Sequence, residues 1–186
     1  MPGTILDVKN GFNNTASTQL AAFSTNPSNG DLIVVGVSVF NRAGATVAVT
    51  DTAGNTYTRV GALIDQAGMP GTIAVFYAQN ITGGSTFRVT LTLGSAHGHA
   101  LVAFLVSGAK AAAFNGDNIS LVTSLQIPAI GPTVLTPPTQ SIFFGSLYIG
   151  ASGGNHQPAA GWNTVGSNGF TAAMNTAATV NQYANP

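Results

Sequence analysis

A chain of 186 residues and 18.7 kDa has room for one domain with a sizeable core. Only 5% of its residues are Asp, Glu, Lys or Arg, against about 25% in an average soluble protein. The charges, Asp7, Lys9, Asp31, Arg42, Asp51, Arg59, Asp65, Arg88, Lys110 and Asp117, sum to zero, so they form no basic stripe for nucleic-acid phosphates and leave acid–base and metal chemistry short of groups.

The first residues, MPGTILDVKNGF, carry neither a basic n-region nor a long apolar run, so no secretory signal is expected there. Leu32 to Phe40 (LIVVGVSVF) follows the turn formers Ser28, Asn29, Gly30 and Asp31 and is rich in β-branched residues, which predicts a buried central strand. Ala45 to Thr50 and Thr56 to Val60 both alternate across Asp51, Thr52, Ala53, Gly54 and Asn55, the pattern of a β-hairpin. Thr72 to Gln79, Thr86 to Leu93 and His99 to Ser107 repeat the theme. In TFRVTLTL, Phe87, Val89, Leu91 and Leu93 fall on one face and Thr86, Arg88, Thr90 and Thr92 on the other, as in a sheet with one wet side.

Further along, Ser120 to Ile127 and Gln140 to Ile149 read as strands, with weaker ones around Trp162 to Val165, Phe170 to Met174 and Ala178 to Tyr183. Pro128, Pro132, Pro137 and Pro138 forbid a central strand between the two clear runs, and residues 128–138 read as a Pro-stiffened extended arm. Ala109 to Phe114 is the one plausible helical turn. The longest apolar stretches, Leu32 to Val37 and Ala100 to Val106, fall far short of the roughly 20 residues of a membrane helix, so no membrane span is expected. With 45% apolar residues and a mean hydropathy of +0.30, the chain has enough apolar surface to fold. No cysteine is present, so there is neither a disulfide framework nor a thiolate site. The expected architecture is a single all-β domain over 1–186, an antiparallel β-sandwich of jelly-roll-like order, with an immunoglobulin-like sandwich as the alternative.

The succession GDLIVVGVSVF, VTDTAGNTYT, IAVFYAQNITGGSTFRVTLT and GWNTVG resembles a β-sandwich module of bacterial secreted and surface proteins and of bacteriophage virion proteins. The resemblance covers roughly Asn29 to Ser107, with a weaker echo as far as Gly166. It implies display, adhesion or particle assembly without catalysis, and brings no active site with it.

Candidate sites are few. His97 and His99 have the i, i+2 spacing of metal ligands on a strand, and His156 would make a third, but no carboxylate lies near them in sequence and Gly94 and Gly98 mark a turn. Asp51 with Asn55 across Gly54 faintly suggests a calcium loop, yet the EF-hand type needs a bidentate Glu and this chain has none. The expectation is structural: Asp51 accepts turn N–H groups while Gly54 or Asn55 turns left-handed. Gly150-Ala151-Ser152-Gly153-Gly154 has the G-x-S-x-G spacing of a nucleophile elbow, but no strand-to-helix unit surrounds it, so no catalytic residue, metal or cofactor is assigned. Trp162 and Tyr183, in Gly- and Asn-rich surroundings, are the candidates for stacking on a sugar ring, whereas Tyr77 and Tyr148 lie in apolar strands.

The exterior itself carries the functional expectation. Net charge near zero favours association, and no charge occurs between Asn118 and Pro186. The sequence therefore points to a non-catalytic virion structural protein, such as a phage capsid decoration, minor head or fibre subunit, partnered by copies of itself and a larger assembly. A secreted carbohydrate-binding or adhesin module at the cell surface, with a glycan as partner, is the alternative.

Overall fold

The computed structural model describes residues 4–13, 15–40, 46–65, 71–109, 141–148, 163–167 and 170–177. These contain strands and no helix. The strands are β1 (Thr4–Asn13), β2 (Thr18–Ala22), β3 (Leu32–Phe40), β4 (Val47–Asp51), β5 (Thr58–Asp65), β6 (Gly71–Ala78), β7 (Arg88–Leu93), β8 (His99–Ser107), β9 (Ser141–Tyr148), β10 (Asn163–Ser167) and β11 (Phe170–Ala177).

Sheet A has the order β1-β8-β3-β6-β5 and sheet B the order β2-β7-β4, both antiparallel throughout. They pack face to face as a β-sandwich. A jelly roll is a long antiparallel hairpin wound up, so its strands pair first with eighth, second with seventh, third with sixth and fourth with fifth. The first three pairings are present as β1:β8, β2:β7 and β3:β6. The immunoglobulin-like order would group strands as ABED and CFG; here β1 lies beside β8 instead.

The fourth pairing is missing, and this corrects the hairpin expected from Ala45–Thr50 and Thr56–Val60. β4 pairs with β7 and β5 pairs with β6, so the chain between them crosses from one sheet to the other. The physical reason lies in side-chain bonds at Asp51 that close the connection on itself before a hairpin register can start. Val47 and Val49 find Leu93 and Leu91 as cross-strand partners instead.

Between the sheets, Ile33, Val35, Val37, Leu101 and Leu105 of sheet A meet Val49, Val89 and Leu91 of sheet B. Each such side chain contributes roughly 1.5–3 kcal/mol of hydrophobic stabilisation when fully buried. The β7 alternation is realised: Val89, Leu91 and Leu93 are buried, while Arg88 and Thr92 are exposed. The strand begins at Arg88, because Thr86 adopts a positive φ of 57°.

β3 and β8 do not alternate, and sheet C explains why. Its order is β10-β11-β9, and it approaches the other face of sheet A, with β10 near β1 and β8, β11 near β8 and β3, and β9 near β3 and β6. Leu32, Val34, Val102, Phe104 and Val106 are buried on that face. A strand covered on both sides reads as a continuous apolar run.

Candidate functional site

The residues with chemical character gather at the two ends of the sandwich. At one end lie the segments 23–31, 51–57 and 79–87. β4 finishes at Asp51, whose Oδ1 accepts the N–H groups of Ala53 at 2.9 Å and Asn55 at 3.1 Å. Its Oδ2 accepts from Asn55 Nδ2 at 3.0 Å and from the Tyr57 hydroxyl at 2.9 Å. Gly54 takes the left-handed conformation, φ 76°, and donates its N–H to the Asp51 carbonyl at 3.3 Å. Glycine suits this position because a Cβ there would be strained.

Asn55 extends the knot to a second segment. Its Oδ1 accepts the Thr82 N–H at 2.8 Å, and its Nδ2 also donates to the Thr82 carbonyl at 3.0 Å. A third segment is tied in by Asn29, whose Oδ1 accepts the Gly83 N–H at 2.9 Å, and by the Gly84 N–H donating to the Pro27 carbonyl at 3.0 Å. Asp31, 5% exposed, accepts the Ser28 N–H on Oδ2 at 2.8 Å.

This arrangement is built for rigidity. Both Asp51 oxygens are engaged, so the carboxylate has no lone pair pointing at a substrate, and burial followed by the Asp51 charge pushes the Tyr57 phenol well above its ordinary 10.0. A phenol held that firmly neutral is neither an acid nor a nucleophile near pH 7. Asp7 on β1 is likewise occupied: its Oδ2 accepts the N–H groups of Ser24 at 2.5 Å and Thr25 at 3.1 Å, and Lys9 Nζ lies 3.2 Å from Oδ1. Burial alone would raise its carboxyl, but the Thr25 and Ser24 N–H groups and Lys9 outweigh it and hold the carboxyl below its usual 3.8.

His97 and His99 sit at the opposite end. His99 is fully buried, and its Nδ1 lies 2.7 Å from the His97 carbonyl. A carbonyl only accepts, so the proton is on Nδ1, and Nε2 has no partner among the described residues. His97 faces the other way, with Nε2 at 2.8 Å from the hydroxyl of exposed Ser95. A serine beside an imidazole has the first two elements of a nucleophilic triad, but among the described residues no carboxylate orients the ring. The pair is a loop hydrogen bond between residues two apart, legible in the Ser95-Ala96-His97 spacing. No group of three or more His, Cys, Asp or Glu gathers among the described residues.

Trp162, Tyr183, His156, Ser152 and the 128–138 arm lie outside the described residues, and so do Ser120–Ile127 and most of Ala109–Phe114. Two features escaped the sequence reading: the Tyr57 hydroxyl as a fourth partner of Asp51, and the reach of Asn55 to Thr82. No helix among the described residues is long and apolar enough to cross a membrane. No protein-family model, curated protein or solved structure matches the chain.

Proposed function

We propose that this protein is a non-catalytic structural subunit that works by assembling with copies of itself into a larger particle, such as a phage virion, as a capsid decoration, minor head or fibre component. One observation carries the reading. Among the charged side chains the structure describes, Asp7 and Lys9 pair with each other, Asp31 and Asp51 hold turns, Arg59 donates from Nε to the Gly61 carbonyl at 3.1 Å, and Arg88 is exposed. Little charge repulsion is left to keep monomers apart.

Light scattering coupled to size exclusion, run over a range of protein concentrations, tests it. A trimer or larger assembly supports the reading. A monomer at every concentration, with Trp162 fluorescence shifting on addition of polysaccharide, would replace it with the carbohydrate-binding alternative.

A further inference from the structure

Sheets A and B have four edges, and three are guarded against strand addition. β1 carries a register shift between Ile5 and Asp7 together with the Asp7–Lys9 ion pair. β5 carries a register shift between Val60 and Ile64, with Gly61 at φ 59° and Arg59 folded onto it. β2 is flanked by β1: the two strands are in contact, and just beyond the end of β2 Asp7 takes the Ser24 and Thr25 N–H groups while Lys9 Nζ donates to Ser24 Oγ at 2.6 Å. Bulges, charges and cover are the devices by which natural sheets blunt an edge.

Among the described residues, β4 shows neither a bulge nor a covering segment. Its register against β7 runs without a shift from Val47 to Asp51, and it contains no Lys, Arg or Pro. Its single charge, Asp51, is consumed in the turn. The direction of its backbone groups follows from two bonds: Gly94 N–H donates to the Thr46 carbonyl, and Thr52 N–H to the Arg88 carbonyl. Residues bonded across an antiparallel pair alternate, so Thr46, Ala48, Thr50 and Thr52 bond toward β7. Val47, Val49 and Asp51 therefore point their backbone groups the other way, off the sheet. Of these, the Asp51 carbonyl receives Gly54 N–H; the other five have no partner among the described residues. This is also the side where a complete roll would place its fifth strand.

We infer that the β4 edge, through Val47, Val49 and Asp51, is an assembly site that accepts an extended strand from a second copy of this chain. The inference rests on the self-assembly reading and gives that reading its contact. A second copy is the occupant because the edge offers no charge for a differently charged partner to read and none to repel a chain as neutral as itself. Main-chain bonds would supply the attraction, and the incoming strand would cover half-buried Val47 at the open side of the core.

Val47→Pro tests it. The Val47 N–H is not part of the β7 ladder, and proline is tolerated on an edge where its nitrogen faces outward, so the domain keeps its near-ultraviolet spectrum while an incoming strand is blocked. Light scattering should show self-association weakened roughly tenfold or more, and hydrogen exchange on the wild type should show the Val49 amide protected in the assembly and fast in dilute monomer. Thr92→Lys places a charge on the exposed face of the middle strand and should leave assembly in place. If the wild type assembles yet Val47→Pro assembles equally, or the Val49 amide exchanges freely in the assembly, the edge inference is overturned and the self-assembly reading stands. A Val49 amide already protected in a monomer would assign the edge to the chain's own residues and also overturn it. A wild type that never assembles removes both. Should Val47→Pro fail to fold, the wild-type exchange measurement decides alone.

Discussion

Tyr57 donates its hydroxyl hydrogen to Asp51 Oδ2 across 2.9 Å, binding the residue just ahead of β5 to the last residue of β4. The bond therefore fastens the crossing from sheet B to sheet A. Tyr57→Phe keeps the ring and removes the bond, and it should lower unfolding stability by about 1–2 kcal/mol in urea titrations near pH 7.

The same residue gives the fold an alkaline limit. Its folded-state phenol is held above the ordinary 10.0, first by burial and then by the Asp51 charge. Below about pH 10 both folded and unfolded states keep the proton; above it the unfolded state loses it first, so stability falls as pH rises. Wild type should lose stability faster than Tyr57→Phe between about pH 10 and 11, and identical slopes would count against the linkage.

Asp7 acts at the other end of the scale. Because its folded carboxyl lies below 3.8, its contribution is complete above that value and fades as pH falls through the lowered one. Asp7→Asn should reduce stability at neutral pH and flatten the acid limb below about pH 4, read from chemical denaturation at a series of pH values.

Gly83 and Gly84 are neighbours with opposite tolerances. A Cβ on Gly83 would sit 2.1 Å from the Pro27 carbonyl oxygen, whereas one on Gly84 meets nothing within 4 Å. Gly83→Ala should cost about 3 kcal/mol, the upper end of overpacking. Gly84→Ala should be neutral or up to about 1 kcal/mol stabilising through the unfolded chain. Thermal melts of the two variants side by side make the comparison.

Ser38 is buried on β3 with no partner for its hydroxyl among the described residues. Ser38→Ala removes an unsatisfied polar group with almost no change in volume, and should leave the protein as stable or up to about 1 kcal/mol more so. A loss beyond 1 kcal/mol in calorimetry would mean the hydroxyl has a partner after all.

Strands that lie against a single neighbouring sheet, or are buried on both sides, were legible because their burial is written in their own residues. β7 alternates as RVTLTL, and β3 is apolar apart from Ser38 because both its faces are covered. β1, TILDVKNGFN, was not: Asp7, Lys9 and Asn10 interrupt any period-2 reading, and the strand is set by its partner β8 nearly a hundred residues away. Pairing was hidden for the same reason. Alternation reports which face is wet, not which strand lies alongside, so Val47 and Val49 looked like half of a hairpin with the next run. At the Asp51 end, the spacing of Asp51, Gly54 and Asn55 pointed to a turn, but the Asn55 bond to Thr82 joins residues 27 apart, and nothing local encodes it.

The pairing of Thr4 with Ser107 has a consequence for biosynthesis. At ribosomal speeds of about 5–20 residues per second, the leading strand emerges on the order of ten seconds before the strand it must zip against exists. During that interval TILDVKNGFN waits in water, and the same Asp7 and Lys9 that obscured it as a strand make it a poor nucleus for premature sticking.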